Sequence, residues 1–146
     1  MDSDISAAIA FAYATLALWM KGMIIAGAQV AIRIRTRSLV RPEDARLLNV
    51  APARFEDPRV ARLGEVWRNE MEASPATLAL AAGYVLLGGD ALTFSWALAA
   101  FVAARFLQGA AQYGQAQPAR TLAWLLGVAS AAIIALLLAL QIFNRV

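Results

Sequence analysis

The sequence predicts an all-α integral membrane protein, an antiparallel bundle of four transmembrane helices, and three observations carry that reading. Of 146 residues, 61% are hydrophobic and 16% charged, where soluble domains carry about 25% charge. A water-soluble chain this small has too little interior to hide so much apolar surface. The charge is gathered rather than spread, with nine of the thirteen basic residues between Arg33 and Arg68. The remainder divides into apolar runs comparable to the ~20 residues that cross a hydrocarbon core of about 30 Å.

The first run, Ile5 to Ile32, has Lys21 as its only charge and spans with length to spare. A signal peptide would start with basic residues and have an apolar core of only about 7 to 15 residues. Here the start, Met-Asp-Ser-Asp, is acidic and the run is too long. Residues 33–57 form a charged aqueous or interfacial loop. Asp57-Pro58 opens the second helix, 58–87, because the carboxylate can accept orphan backbone N–H bonds while proline takes the first helical position without losing a needed donor. This helix passes Glu65, Arg68, Asn69 and Glu72 before its apolar stretch, should kink at Pro75, and ends at Gly88-Gly89-Asp90. A third helix runs from Ala91 to about residue 112, interrupted by Arg105. The polar, proline-containing stretch from Gly114 to Arg120 is a tight connection. A fourth helix, 121–143, has no charge at all. The whole chain, 1–146, reads as one domain without repeats or low-complexity tracts.

Cytoplasmic loops carry the Lys/Arg excess, so the first loop and Arg120 should lie inside and both termini outside, with a bacterial inner membrane as the expected location. Cysteine and histidine are absent, which removes thiolate chemistry and the commonest general base and metal ligand. No metal site is expected. Any chemistry must use Arg, Glu, Asp, Tyr, Thr or a bound cofactor. Net charge is +3, but the arginines sit beside membrane segments, which argues against nucleic acid as a partner.

A charged side chain at the bilayer centre costs about 2.5 to 3.5 kcal/mol on insertion scales, so intramembrane charges need partners or a task. Arg68 and Glu72 stand at i, i+4, and Asn69 and Glu72 at i, i+3, projecting from neighbouring positions on one side of a helix. Guanidinium, amide and carboxylate together can hold a small zwitterion. The plainer reading is that Arg68 and Glu72 neutralise each other at the interface. Arg105 and Lys21 could pair across helices with Glu72 or snorkel. Arg120-Thr121 is either a helix start on the positive-inside face or a cation and hydroxyl placed to stabilise an anion such as a thiolate.

Taken in order, these residues resemble the MAPEG family, membrane-associated proteins in eicosanoid and glutathione metabolism, and within it the microsomal prostaglandin E synthase type. The resemblance begins with Lys21 and Gln29-Val-Ala-Ile-Arg33-Ile-Arg35, continues through Arg41-Pro-Glu-Asp-Ala45, Asp57-Pro58, Trp67-Arg68-Asn69-Glu70-Met71-Glu72 and Pro75, and ends with Arg105 and Pro118-Ala-Arg120-Thr121. It implies a homotrimer of four-helix subunits with glutathione bound between subunits near the cytoplasmic side. By the same resemblance Arg33, Arg68, Asn69 and Glu72 hold the tripeptide, Arg105 and Tyr113 belong to the same cofactor site, and Arg120 and Thr121 face the sulfur as the catalytic pair.

Four positions depart from the family pattern. Gln108 and Gln112 stand where a histidine or tyrosine and a tyrosine are expected, with Tyr113 one place late. Glu65 replaces an arginine, and Trp124 an aromatic hydroxyl. Each lost hydrogen bond is worth about 0.5 to 1.5 kcal/mol. The leading expectation is a glutathione-dependent transferase, peroxidase or isomerase acting on a lipophilic electrophile that enters from the bilayer. In it, Arg120 draws the thiol pKa down from roughly 8.5 towards neutrality. The alternative is a non-catalytic membrane-binding or scaffold protein that has lost glutathione. A transporter has little support, since no helix is discontinuous apart from the expected kink at Pro75.

Overall fold

The computed structural model describes residues 2–145 and is all helical among them. Helix α1 spans Asp2–Thr36, a short α2 spans Pro42–Leu47, and α3 spans Pro58–Leu86. Helices α4, Ala91–Tyr113, and α5, Gln117–Phe143, complete the chain. Consecutive long helices run antiparallel. An apolar cluster joins Ala7 of α1, Tyr84 of α3, Phe94 of α4 and Ile134 of α5 at the end that holds the chain termini. The arginine-rich loop and the α4–α5 connection occupy the other end, where a second cluster of Ile25, Leu63 and Val66 packs with Trp67.

Among the described residues three helices are long and apolar enough to cross a membrane: α1 from Ile5, α4 and α5. Helix α3 is comparable in length at 29 residues, but Arg59, Arg62, Glu65, Arg68, Glu70 and Glu72 charge its first half. Its start follows the sequence signal, because Asp57 Oδ1 accepts from the Arg59 N–H at 2.8 Å and Pro58 occupies the first turn. Asp90 caps α4 in the same way through the Leu92 N–H, at 3.1 Å. Pro75 lies inside α3, which continues beyond it to Leu86.

Two boundaries differ from expectation. The loop read as residues 33–57 is shorter and partly structured: α1 continues to Thr36 and α2 forms at Arg41-Pro42, where proline again fits a first turn. Within this segment Leu39 and Ala45 are buried, and Glu56 near its far end pairs with Arg33 of α1. Helix α5 starts at Gln117 rather than Thr121, since Pro118 is tolerated in a first turn. The Arg120 N–H therefore already donates to Ala116 O, at 2.9 Å.

Candidate functional site

The inward face of α3 reads Leu63, Val66, Glu70, Ser74, Thr77, Ala81 and Tyr84, all buried, a helical stripe that carries one carboxylate. Glu70 is 2% exposed, Lys21 of α1 6% and Arg105 of α4 4%. Lys21 Nζ donates to Glu70 Oε2 and to the Arg105 carbonyl at 2.6 Å, with the Phe106 ring 5.5 Å away. Glu70 also accepts from Ser74 Oγ and from Arg105 Nη2 at 3.4 Å. Gly109 makes room for this approach, since a Cβ there would stand 3.2 Å from Lys21 Cε.

Glu70, not Glu72, is thus the carboxylate with which Lys21 and Arg105 pair, and neither cation snorkels. The correction is geometric: two residues along a helix is about 200° of rotation, and Glu72 is exposed on the far side of α3. The signal was present, because Glu70 falls in register with Leu63, Val66 and Thr77 on the apolar stripe, where a carboxylate must meet a cation.

Arg105 carries the network onward. Its Nη1 donates to Gln108 Oε1 at 2.5 Å, and its Nη2 donates to Asn69 O and Asn69 Oδ1, each at 2.8 Å. Gln108 Nε2 donates to the same Asn69 Oδ1 at 3.2 Å. Guanidinium has donors only, so whatever faces it must be oxygen, and both amides are fixed in orientation. The Asn69 amide nitrogen is thereby left free to donate elsewhere.

That residue lines a cleft of about 240 Å³ with Gln108, Arg120, Thr121 and Trp124. A second cleft of about 370 Å³ shares Arg120 and is lined by Arg62, Glu65, Gln112, Gln115 and Gln117. Arg120 is therefore the common wall of one polar groove between α3, α4 and α5. All four positions that depart from the family pattern, Glu65, Gln108, Gln112 and Trp124, line it. Gln112 Oε1 is buried there without a hydrogen-bond partner. The Thr121 hydroxyl donates to Gln117 O at 3.3 Å, a long bond that leaves its lone pairs free.

The other expected site residues lie apart. Arg68 and Glu72 are exposed on the outward face of α3, and among the described residues neither forms an ion pair within the chain. They do not neutralise each other, and only Asn69 of that trio reaches the groove. Arg33 bonds Glu56, Nε to Oε1 at 2.7 Å, and lines loop clefts instead. Tyr113 is exposed at the last residue of α4. Arg105, expected to touch the cofactor, is buried and reaches the groove only through Asn69 and Gln108.

Comparison with curated proteins finds no match. The sequence model of the MAPEG family matches residues 8–140, nearly the whole chain, from the early turns of α1 to the last turn of α5. The network and the groove both lie within that span, and the chain belongs to the MAPEG family.

Proposed function

We propose that the chain is a glutathione-dependent membrane transferase, peroxidase or isomerase of the microsomal prostaglandin E synthase type, acting on a lipophilic electrophile. The observation that carries this reading is the groove at Arg120, where Asn69 is held as a donor beside a guanidinium and the Trp124 indole. Such a wall suits an anionic group, and glutathione has two carboxylates and an ionisable thiol. Bound there, glutathione supplies the nucleophile that a chain without cysteine lacks. Arg120 holds negative charge at the sulfur, and Thr121 turns from Gln117 O to donate to it. Arg68 takes a carboxylate and Glu72 the ammonium.

Arg68 and Glu72 face outward, so the site closes only when a second copy covers that face of α3. Charges turned toward lipid are costly, which favours a homotrimer of subunits with four membrane crossings, α3 being shielded by its neighbours. Mass in mild detergent tests assembly: a monomer or dimer at high protein concentration counts against it. The arginine asymmetry favours termini outside the cytoplasm. Labelling of a cysteine at Ala53 from outside intact cells, with none at Ser3, would reverse that orientation.

A second reading, a non-catalytic scaffold, is favoured by Gln108, whose oxygen and nitrogen are both committed within the network, and by the pairing of Arg33 with Glu56. Isothermal titration of glutathione into detergent-purified protein separates the two. Micromolar binding supports the enzyme, whereas millimolar or absent binding supports the scaffold.

A further inference from the structure

The arginine-rich loop contains more exposed apolar surface than an aqueous loop should. Leu47 is 83% exposed and Phe55 74%, with Val40 and Leu48 also open. These side chains border two clefts. The first, of about 600 Å³, is lined by Arg33, Arg41, Asp44, Arg54, Phe55 and Glu56 among others. The second, of about 260 Å³, is lined by Val30, Ile34, Leu47 and Leu48. Both include Arg33, Leu39 and Asp44, so the polar cleft and the apolar one adjoin along a shared wall.

The polar cleft is electrostatically incomplete. Arg33 is matched by Glu56, but among the described residues Arg41, Arg54 and Asp44 form no ion pair. Two guanidinium groups against one carboxylate leave one positive charge over. The Arg54 guanidinium is held 5.3 Å from the Phe55 ring, which places a cation beside an exposed aromatic, a pairing suited to the headgroup level. From the apolar cleft an open track continues along α1 through Ile34, Val30, Gly27 and Met23, which share one helix face and are all exposed. A Cβ added at Gly27 would meet nothing within 4 Å, so the track is notched there.

We infer that this composite site binds one anionic glycerophospholipid, its phosphodiester between Arg41 and Arg54 and an acyl chain along Leu47, Ile34, Val30 and Gly27. The single excess charge matches a phosphodiester of charge −1, and the step from polar to apolar matches the amphipathic ligand. A soluble anion would leave the apolar half unused. Juxtamembrane basic clusters are attracted to anionic lipid, but here the apolar track makes the attraction site-specific.

The test is native mass spectrometry of the full chain released from micelles containing phosphatidylglycerol or phosphatidylcholine. One phosphatidylglycerol retained per chain, with phosphatidylcholine lost, is the expected result. Arg41→Gln with Arg54→Gln should weaken retention about thirtyfold, and Leu47→Ser should weaken it while leaving the charge intact. Arg35→Gln with Arg37→Gln removes the same charge from outside the cleft and should change little. Equal loss in both double variants would reduce the effect to surface charge and overturn the site. Displacement by the chain-free headgroup, glycerophosphoglycerol, would show an anion site without a lipid. A disulfide between copies through Leu47→Cys, with no retained lipid, would show that a second subunit covers the cleft. Each of the last two also overturns the inference.

Discussion

Glu70 and Glu72 are the same residue type, two positions apart on one helix, and live in opposite environments. Glu70 lies between Lys21 and Arg105 with Ser74 as a further donor, sealed from solvent between two apolar clusters. Glu72 stands open on the outward face, with Arg68 one turn before it, and neither has an ion-pair partner within the chain among the described residues. The first cluster makes its ion pairs within one subunit, although Arg105 Nε is buried without a partner among the described residues, and it ties α1, α3 and α4 together. The second makes no ion pair within one subunit among the described residues. A charge inside an apolar helix is thus no sign of function until its partners are counted.

The largest effect should come from breaking the buried cluster. Glu70→Leu strands two cations against an apolar interior, and removing one partner of a buried pair typically costs about 3 to 5 kcal/mol. Thermal unfolding in detergent should show a chain that is barely folded. Lys21→Met should be milder, because Arg105 and Ser74 still serve the carboxylate; equal losses would mean that the network is less connected than its hydrogen bonds indicate.

The outward pair should respond in the opposite sense. Arg68→Leu is expected to leave the unfolding temperature of the subunit nearly unchanged, within about 0.5 kcal/mol. Glutathione binding should weaken by about 2 to 5 kcal/mol, since a carboxylate loses its charged partner. Titration calorimetry and thermal unfolding on one sample separate the two quantities. Unfolding as severe as that of Glu70→Leu would erase the contrast between the faces.

Arg120 tests the groove between them. Arg120→Leu should keep the assembly and abolish the ultraviolet thiolate absorbance of bound glutathione at neutral pH. Arg120→Lys should restore it in part, because lysine keeps the charge and loses the planar fork. Failure of Arg120→Leu to fold or insert would place the residue with the buried network instead.

Gln108→Leu is subtler. It removes one of the two donors that hold Asn69 Oδ1 and leaves the other, so glutathione affinity should fall by about 0.5 to 1.5 kcal/mol, and because Arg105 Nη1 also loses its buried acceptor the unfolding temperature should fall as well. A gain in affinity instead would mean that Gln108 obstructs the groove.

The smallest effect sits at the start of α3. The Arg59 side chain and then its backbone N–H hold the Asp57 carboxyl below the usual carboxylate range. Its capping contribution is therefore present at any pH above that range and is lost as pH falls through the lowered value. Amide exchange at residues 59–61 should be faster in Asp57→Ala at neutral pH, and the difference should vanish in strong acid.

Much of this was legible in the chain itself. Apolar runs between Gly, Pro and Asp fixed where the long helices lie, because a backbone in lipid must satisfy its own hydrogen bonds and those residues either cap a helix or break it. The α3 start at Asp57-Pro58 was written in two residues. The order of Lys21, Arg68-Asn69, Arg105 and Arg120-Thr121 carried the family resemblance. Spacing could say that Arg68, Asn69 and Glu72 were neighbours on α3, and that Arg120 and Thr121 lay close to the start of α5, although not that the helix begins at Gln117.

Only the tertiary structure decided which charge meets which. A period of 3.6 residues gives each side chain an angle around its own axis, but not which angle faces a neighbour. That depends on the rotation of α1 and α4 against α3, set by contacts as local as Gly109 against Lys21 and Gly22 against Trp67. The same packing chose Glu70 over Glu72, turned Arg105 from a ligand contact into the group that orients Asn69, and gathered Glu65, Gln108, Gln112 and Trp124 around Arg120. Pairing in a low-dielectric interior is decided by distances of a few ångströms between helices far apart in sequence, and one chain read alone does not contain those distances.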